Sequence, residues 1–100
     1  MDNQLEAHME GKRVIITVLG HDRIGILAAV TGILADARVN ILDVSQTIMQ
    51  EFYTMAMVAD ISRCPLSLKE LRERLEKKGD ELDLKITVQH EDIFRFMHRI

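Results

Sequence analysis

One hundred residues with a formal net charge of −3 and 47% apolar content describe one globular domain, because a chain this short rarely holds two independent cores. The 13 basic against 16 acidic residues lack the positive excess that draws a protein to nucleic acid or an anionic membrane. A lone Cys64 excludes an intramolecular disulfide and a multi-thiolate metal site, and neither an export signal nor an apolar run of ~18–20 residues is visible, so a cytoplasmic location is expected.

Residues 1–9 (MDNQLEAHM) are polar and aperiodic. They are expected to be a flexible leader, native or added, with Met9 as an alternative initiator, and residues 10–100 are expected to form the single domain. Lys12 to Leu19 (KRVIITVL) is β-branched and apolar, the pattern of a central strand covered on both faces or lying in an interface. The run Gly20 to Gly25 (GHDRIG) interrupts it, after which Ile26, Leu27, Val30, Ile33, Leu34 and Ala37 recur at helical spacing. Asn40–Met49 and Phe52–Ile61 read as a hairpin turning near Gln50 and Glu51.

The second helix opens on Ser67 and Glu70, an S-x-x-E capping box, with Leu66 placed to staple onto Leu71 and with Leu68, Leu71 and Leu75 as its buried stripe. Lys77 and Lys78 suit a last turn and Gly79 a left-handed stop, so this helix is expected to end there. Leu82, Leu84, Ile86 and Val88 alternate with polar residues, as in an edge strand with one wet face. Glu91–Ile100, acidic first and basic later, with Ile93, Phe96, Met97 and Ile100 at 3–4 spacing, reads as a short helix. This order specifies an α+β fold: a ferredoxin-like βαββαβ sandwich with a four-stranded antiparallel sheet, helices on one face and a short C-terminal helix.

That architecture carries RNA binding, metal transfer, phosphate hydrolysis and effector sensing, so side chains must decide between them. RNA recognition needs aromatics on the central strands, and VIITVL has none. Metal transfer needs paired thiols in the first loop. His21 with Asp22, and His90 with Glu91 and Asp92, read as caps or solvated polar groups rather than metal ligands. Acylphosphatase-like hydrolysis would use Arg23 to cradle phosphate and Asn40 to position water, but its usual Q-G-V-x-F-R run is absent. No catalytic triad, Cys/His pair or paired carboxylates stand at identifiable spacing and Cys64 reads as an inert loop thiol, so neither an enzyme nor a cofactor is expected. The Gly20–Gly25 loop places flexible backbone at a helix N-terminus, which favours a carboxylate or phosphate. The plainer alternative is that Asp22 caps the helix and Gly25 permits close packing.

The run Val18-Leu19-Gly20-His21-Asp22-Arg23-Ile24-Gly25-Ile26-Leu27, followed by Val39-Asn40-Ile41, resembles the signature of ACT domains, small regulatory modules that bind amino acids. Asn40 to Ile48, Phe52-Tyr53-Thr54-Met55, and Ile93-Phe94 with Met97 and Ile100 resemble more closely the stand-alone ACT-domain proteins of bacteria and archaea. The resemblance spans residues 11–100, and the amino-terminal half of the glycine-cleavage transcriptional repressor is similar in the same way. It implies a side-by-side homodimer with first helices and second strands adjoining. An amino acid effector would lie between the first loop of one protomer and the start of the second strand of the other. Carried over by position, Gly20, His21, Asp22, Arg23, Ile24 and Gly25 surround the ligand, Asp22 takes its ammonium, and the Asn40 amide binds it.

Gly25, Ala28, Ala29 and Gly32 keep one flank of the first helix thin, which suits either such a dimer or packing within one chain. Gly20 and Asp22 stand where serine-sensing relatives have histidine and asparagine, so serine is not the obvious effector. Arg38 stands where the family usually has glycine and is expected to carry a left-handed backbone at about 1 kcal/mol. In the second strand Ser45 and Thr47 share one face and Gln46 and Ile48 the other, read as solvent-facing alternation, and Met49, Met55 and Met57 read as core filler. The rival reading is a protein-interaction module without a small-molecule ligand, docking an unidentified protein partner through Phe94, Phe96, Met97 and Ile100 or through an exposed sheet face.

Overall fold

The structure, a computed structural model, describes residues 12–21 and 25–92. Its elements are β1 (Arg13–His21), α1 (Ile26–Asp36), β2 (Asn40–Met49), β3 (Phe52–Asp60), α2 (Leu68–Leu82) and β4 (Lys85–His90). All strand pairs are antiparallel, in the order β2-β3-β1-β4. The expected βαββαβ sandwich is therefore the fold, with β1 central and β4 an edge. Glu91 and Asp92, the first two residues of the expected terminal helix, are helical. Residues 93–100 and the leader lie outside the described residues.

Strand parity sorts the sheet into two faces. Val14, Ile16 and Val18 of β1 stand opposite Ala59, Met57 and Met55 of β3, and Ile16 and Val18 also stand opposite Val88 and Ile86 of β4. All are buried, together with Ile26, Val30 and Leu34 of α1 and Leu71 and Leu75 of α2. This single layer of helices covers one face, and Met55 and Met57 are core residues as expected, whereas Met49 is exposed. The other face carries Ile15, Thr17, Ala56 and Val58, which are half-buried, so β1 is covered fully on one side only. There Thr17 and Thr87 join through their hydroxyls across β1 and β4.

Helix α2 begins as its sequence dictates. The Ser67 side chain accepts from the Glu70 N–H at 3.1 Å and Glu70 accepts from the Ser67 N–H at 2.9 Å. These bonds hold the Glu70 carboxyl below its ordinary pKa, the Ser67 backbone N–H being the largest cause. The end of α2 differs from expectation. The helix runs through Gly79 to Leu82, and Asp83 at φ 60° is the left-handed cap. Gly79 answers a different need: a Cβ there would stand 2.7 Å from the Leu84 carbonyl oxygen, so its role is close approach of α2 to the chain entering β4. Lys77 and Lys78 thus lie before the last turn, Lys78 pairing with Glu81 at 3.3 Å, and Leu82 belongs to the helix rather than the strand.

The two sheet edges differ. On β4, six residues long, the Arg72 guanidinium donates to the Val88 carbonyl at 3.0 and 3.1 Å, occupying that carbonyl. On β2 nine of ten residues are exposed, only Ile41 being half-buried. Its apolar members Leu42, Val44, Ile48 and Met49 are exposed by 41, 37, 56 and 68%.

Candidate functional site

The candidate site starts where β1 ends. Gly20 pairs with Tyr53 and His21 with Phe52, and the His21 ring stacks on Phe52 with centroids 5.5 Å apart. A Cβ on Gly20 would run into the Leu84 side chain, so glycine lets β1 pass under the α2–β4 turn. An open cleft of about 380 Å³ lies beside His21, bounded by Leu19, Gly79, Asp80, Asp83, Leu84 and Lys85. Asp22, Arg23 and Ile24 lie outside the described residues.

The loop closes on Gly25, the N-cap of α1, at φ 90° and with no side-chain capping bond. A Cβ there would meet nothing within 4 Å, so the glycine serves its left-handed backbone and not close packing, as the plainer reading had it. Gly25 has no side-chain acceptor of its own for the first-turn N–H groups of α1. What the turn offers chemically is a set of backbone donors at the positive end of a helix dipole.

Asn40 is exposed at the start of β2, opposite Asp60, which in turn pairs with Arg13. His21 ends the opposite side of the sheet, eight residues along β1 from Arg13, about 26 Å away at strand rise. One protomer therefore does not bring Asn40 to the Gly20–Gly25 loop. Arg38, just before β2, has φ 60°, the left-handed backbone expected of it, with its N–H on the Ala35 carbonyl at 3.0 Å. The thin flank of α1 has no occupant within the described chain: Gly25, Ala28 and Gly32 are exposed, and a Cβ on Gly32 would touch nothing within 4 Å.

One pair escaped the sequence reading. Tyr53, 5% exposed, donates its hydroxyl to the Gln46 side-chain oxygen at 2.7 Å, with the Met55 sulfur at 3.3 Å. Gln46 had the signal of a polar residue between Val44 and Ile48, but only the β2–β3 register shows that it meets the single tyrosine. The other sequence candidates are otherwise engaged. Glu91 binds Arg13 at 2.9 Å, and His90 Nδ1 accepts from the Asp92 N–H at 3.1 Å. Among the described residues no group of three or more His, Cys, Asp or Glu side chains is placed to hold a metal ion. Cys64 is half-buried against the core, and no helix among the described residues is long and apolar enough to cross a membrane.

With this geometry in place, residues 12–89 match the family model of the ACT domain. The chain belongs to the ACT domain family. It is 49% identical to a UPF0237 protein of Methanocaldococcus jannaschii over 88% of this chain and 98% of that one. Among solved structures, an ACT domain protein from Streptococcus pneumoniae superposes with a TM-score of 0.75 at 39% identity, over 85% of this chain and 96% of that one. A putative glycine cleavage system transcriptional repressor shares the fold at TM-score 0.67 and 24% identity, over 78% of this chain and 44% of its own.

Proposed function

We propose that this ACT domain is a non-catalytic sensor that forms a homodimer in the cytoplasm and binds an amino acid or similar small anion between protomers. Gly20, His21, Asp22, Arg23, Ile24 and Gly25 of one protomer and Asn40 of the other form each site. The observation that carries this reading is the sheet register. The loop and Asn40 sit at opposite ends of one protomer, and a two-fold axis beside β2 exchanges those ends, putting the Asn40 end of each chain near the loop of the other. The uncovered β2 row and the thin flank of α1 support the same seam, since exposed apolar surface of this kind marks an interaction site. The ligand carboxylate lies on the N–H groups of the first turn of α1, and Asp22 takes the ammonium. The repressor that shares the fold is a regulator by its name, which supports a regulatory output, here passed to a protein partner.

Thermal unfolding across the common amino acids and several phosphorylated metabolites, with light scattering for oligomeric state, tests the proposal. A ligand at one hundred times its Kd stabilises the folded state by about 2.7 kcal/mol, a shift of several degrees for a domain of this size. The shift is expected to vanish in Asp22→Ala and in Asn40→Ala. A dimer that responds to no compound would favour the rival docking reading, for which the same apolar β2 row supplies the surface.

A further inference from the structure

We propose that Gln46 is a ligand-binding residue: its carboxamide, held by the Tyr53 hydroxyl, gives its N–H groups to the carboxylate of the amino acid bound between protomers. The inference rests on the dimeric sensor reading above and extends its site to the middle of β2. Three observations carry it. First, Gln46 lies on the helix-side row of β2, between Val44 and Ile48, and that row is exposed. Once a second copy covers it, an amide in an apolar row must find acceptors for its two donors or leave them unsatisfied in a dry seam.

Second, the amide is already oriented. Its oxygen accepts from Tyr53 at 2.7 Å, and the Tyr53 ring is fixed in the core. Its nitrogen has no hydrogen bond among the described residues, and Gln46 is exposed, so both N–H donors are available to a ligand. Third, the level is right. Gln46 stands opposite Met55, and Met55 opposite Val18, two residues before Gly20, where the loop leaves the sheet. Gln46 is thus about 10 Å across the sheet from β1, on the side where α1 begins. Of the groups an amino acid brings there, its carboxylate is the one that accepts two charge-assisted N–H bonds. Tyr53 is a positioning residue in this scheme and touches no ligand.

The probes are the twenty standard amino acids, each beside its α-carboxamide, which keeps the ammonium and lacks the carboxylate. Binding is read by calorimetry, and dimerisation by sedimentation without ligand. Gln46→Glu keeps the acceptor for Tyr53 and replaces both donors by a negative charge. We expect it to bind the amino acid 10- to 100-fold more weakly at pH 7, the loss of hydrogen bonds to a charged group, while Gln46→Met, which keeps the length of the side chain without its donors or a charge, is expected to dimerise without ligand as the parent does. At pH 4, below the ordinary glutamate value of about 4.3, most of the substituted carboxyl is protonated and regains a donor, so the deficit relative to the parent at the same pH is expected to narrow, a recovery that mere structural damage would not produce. Tyr53→Phe is expected to weaken binding by a smaller factor, with no pH 4 recovery.

Parent-like ligand affinity in Gln46→Glu overturns the assignment while leaving the sensor intact. Loss of the ligand-free dimer in Gln46→Met also overturns it, showing that the amide serves the protein seam. Absence of binding by the parent protein to any of the twenty amino acids overturns this assignment, and the sensor reading falls with it only when the phosphorylated metabolites are silent as well.

Discussion

At the scale of single residues, three backbone positions answer to different physics. Gly25 takes its left-handed φ of 90° in open space. Arg38 holds φ 60° without a glycine's freedom, and a left-handed conformation costs an L-residue about 1–2 kcal/mol. Replacing it by glycine returns part of that cost to greater freedom of the unfolded chain. Arg38→Gly is therefore expected to raise stability by about 0.5–1 kcal/mol, read as a higher urea midpoint at unchanged slope. Gly79 runs the other way. In a helix interior alanine is ordinarily preferred by about 1 kcal/mol, but here the new Cβ meets the Leu84 carbonyl oxygen and the Ile86 side chain, at 2.7 and 3.2 Å. Gly79→Ala is expected to cost about 1–2 kcal/mol net, overpacking outweighing propensity, and parent-like stability would show that α2 and the β4 entry are not so tightly apposed. The left-handed Arg38 was legible because its neighbours Val39-Asn40-Ile41 carry the family resemblance. The role of Gly79 was not, because its reason lies in the chain entering the next strand, and nothing local separates a stop signal from a close-contact glycine.

At the scale of elements, what could be read locally was read. Ser67 and Glu70 lie three residues apart, and their mutual bonds need only the helix they begin. Ser67→Ala is expected to cost about 1 kcal/mol, measured in denaturant. The same box gives α2 a pH response with a definite sign. The Glu70 carboxyl is held below its ordinary value in the folded chain, so its contribution is present above the unfolded-state glutamate value of about 4.3 and is lost as pH falls through the lower folded value. Comparing the parent with Glu70→Gln between pH 7 and pH 2 checks this, the difference in stability being expected to narrow only on the acid side. The edges of the sheet were less legible. Alternation identified β4 as an edge, yet the Arg72 bonds to its Val88 carbonyl come from a helix residue 16 positions earlier. The openness of β2 is a property of what does not cover it, which period-two patterning does not report. The Tyr53–Gln46 bond belongs to the same class, arising from the β2–β3 register.

At the scale of the whole molecule, the fold separates the two parts of the proposed site. The proposed site joins the loop of one protomer to Asn40 of the other, and antiparallel pairing puts His21, where that loop begins, and Asn40 at opposite ends of the sheet, about 26 Å apart along the strands of one protomer. A site shared across a two-fold axis has a consequence that no single-chain site has. In the proposed dimer, one site takes its loop from the first protomer and its Asn40 from the second, and the other site the reverse. Asp22→Ala and Asn40→Ala homodimers therefore each lack both sites. In a heterodimer of the two variants, both lesions fall into one site and the other is intact. Mixed and exchanged at equal amounts, the inactive variants are expected to recover binding in about a quarter of all sites, since half the dimers are mixed and each holds one whole site. Titration calorimetry of the mixture, against each variant alone, measures that fraction directly. Recovery at parent affinity assigns Asp22 and Asn40 to opposite sides of the seam. A mixture as silent as its components, with subunit exchange verified by mass spectrometry, would place both residues on the same chain's side and require a dimer other than one built on the open β2 edge.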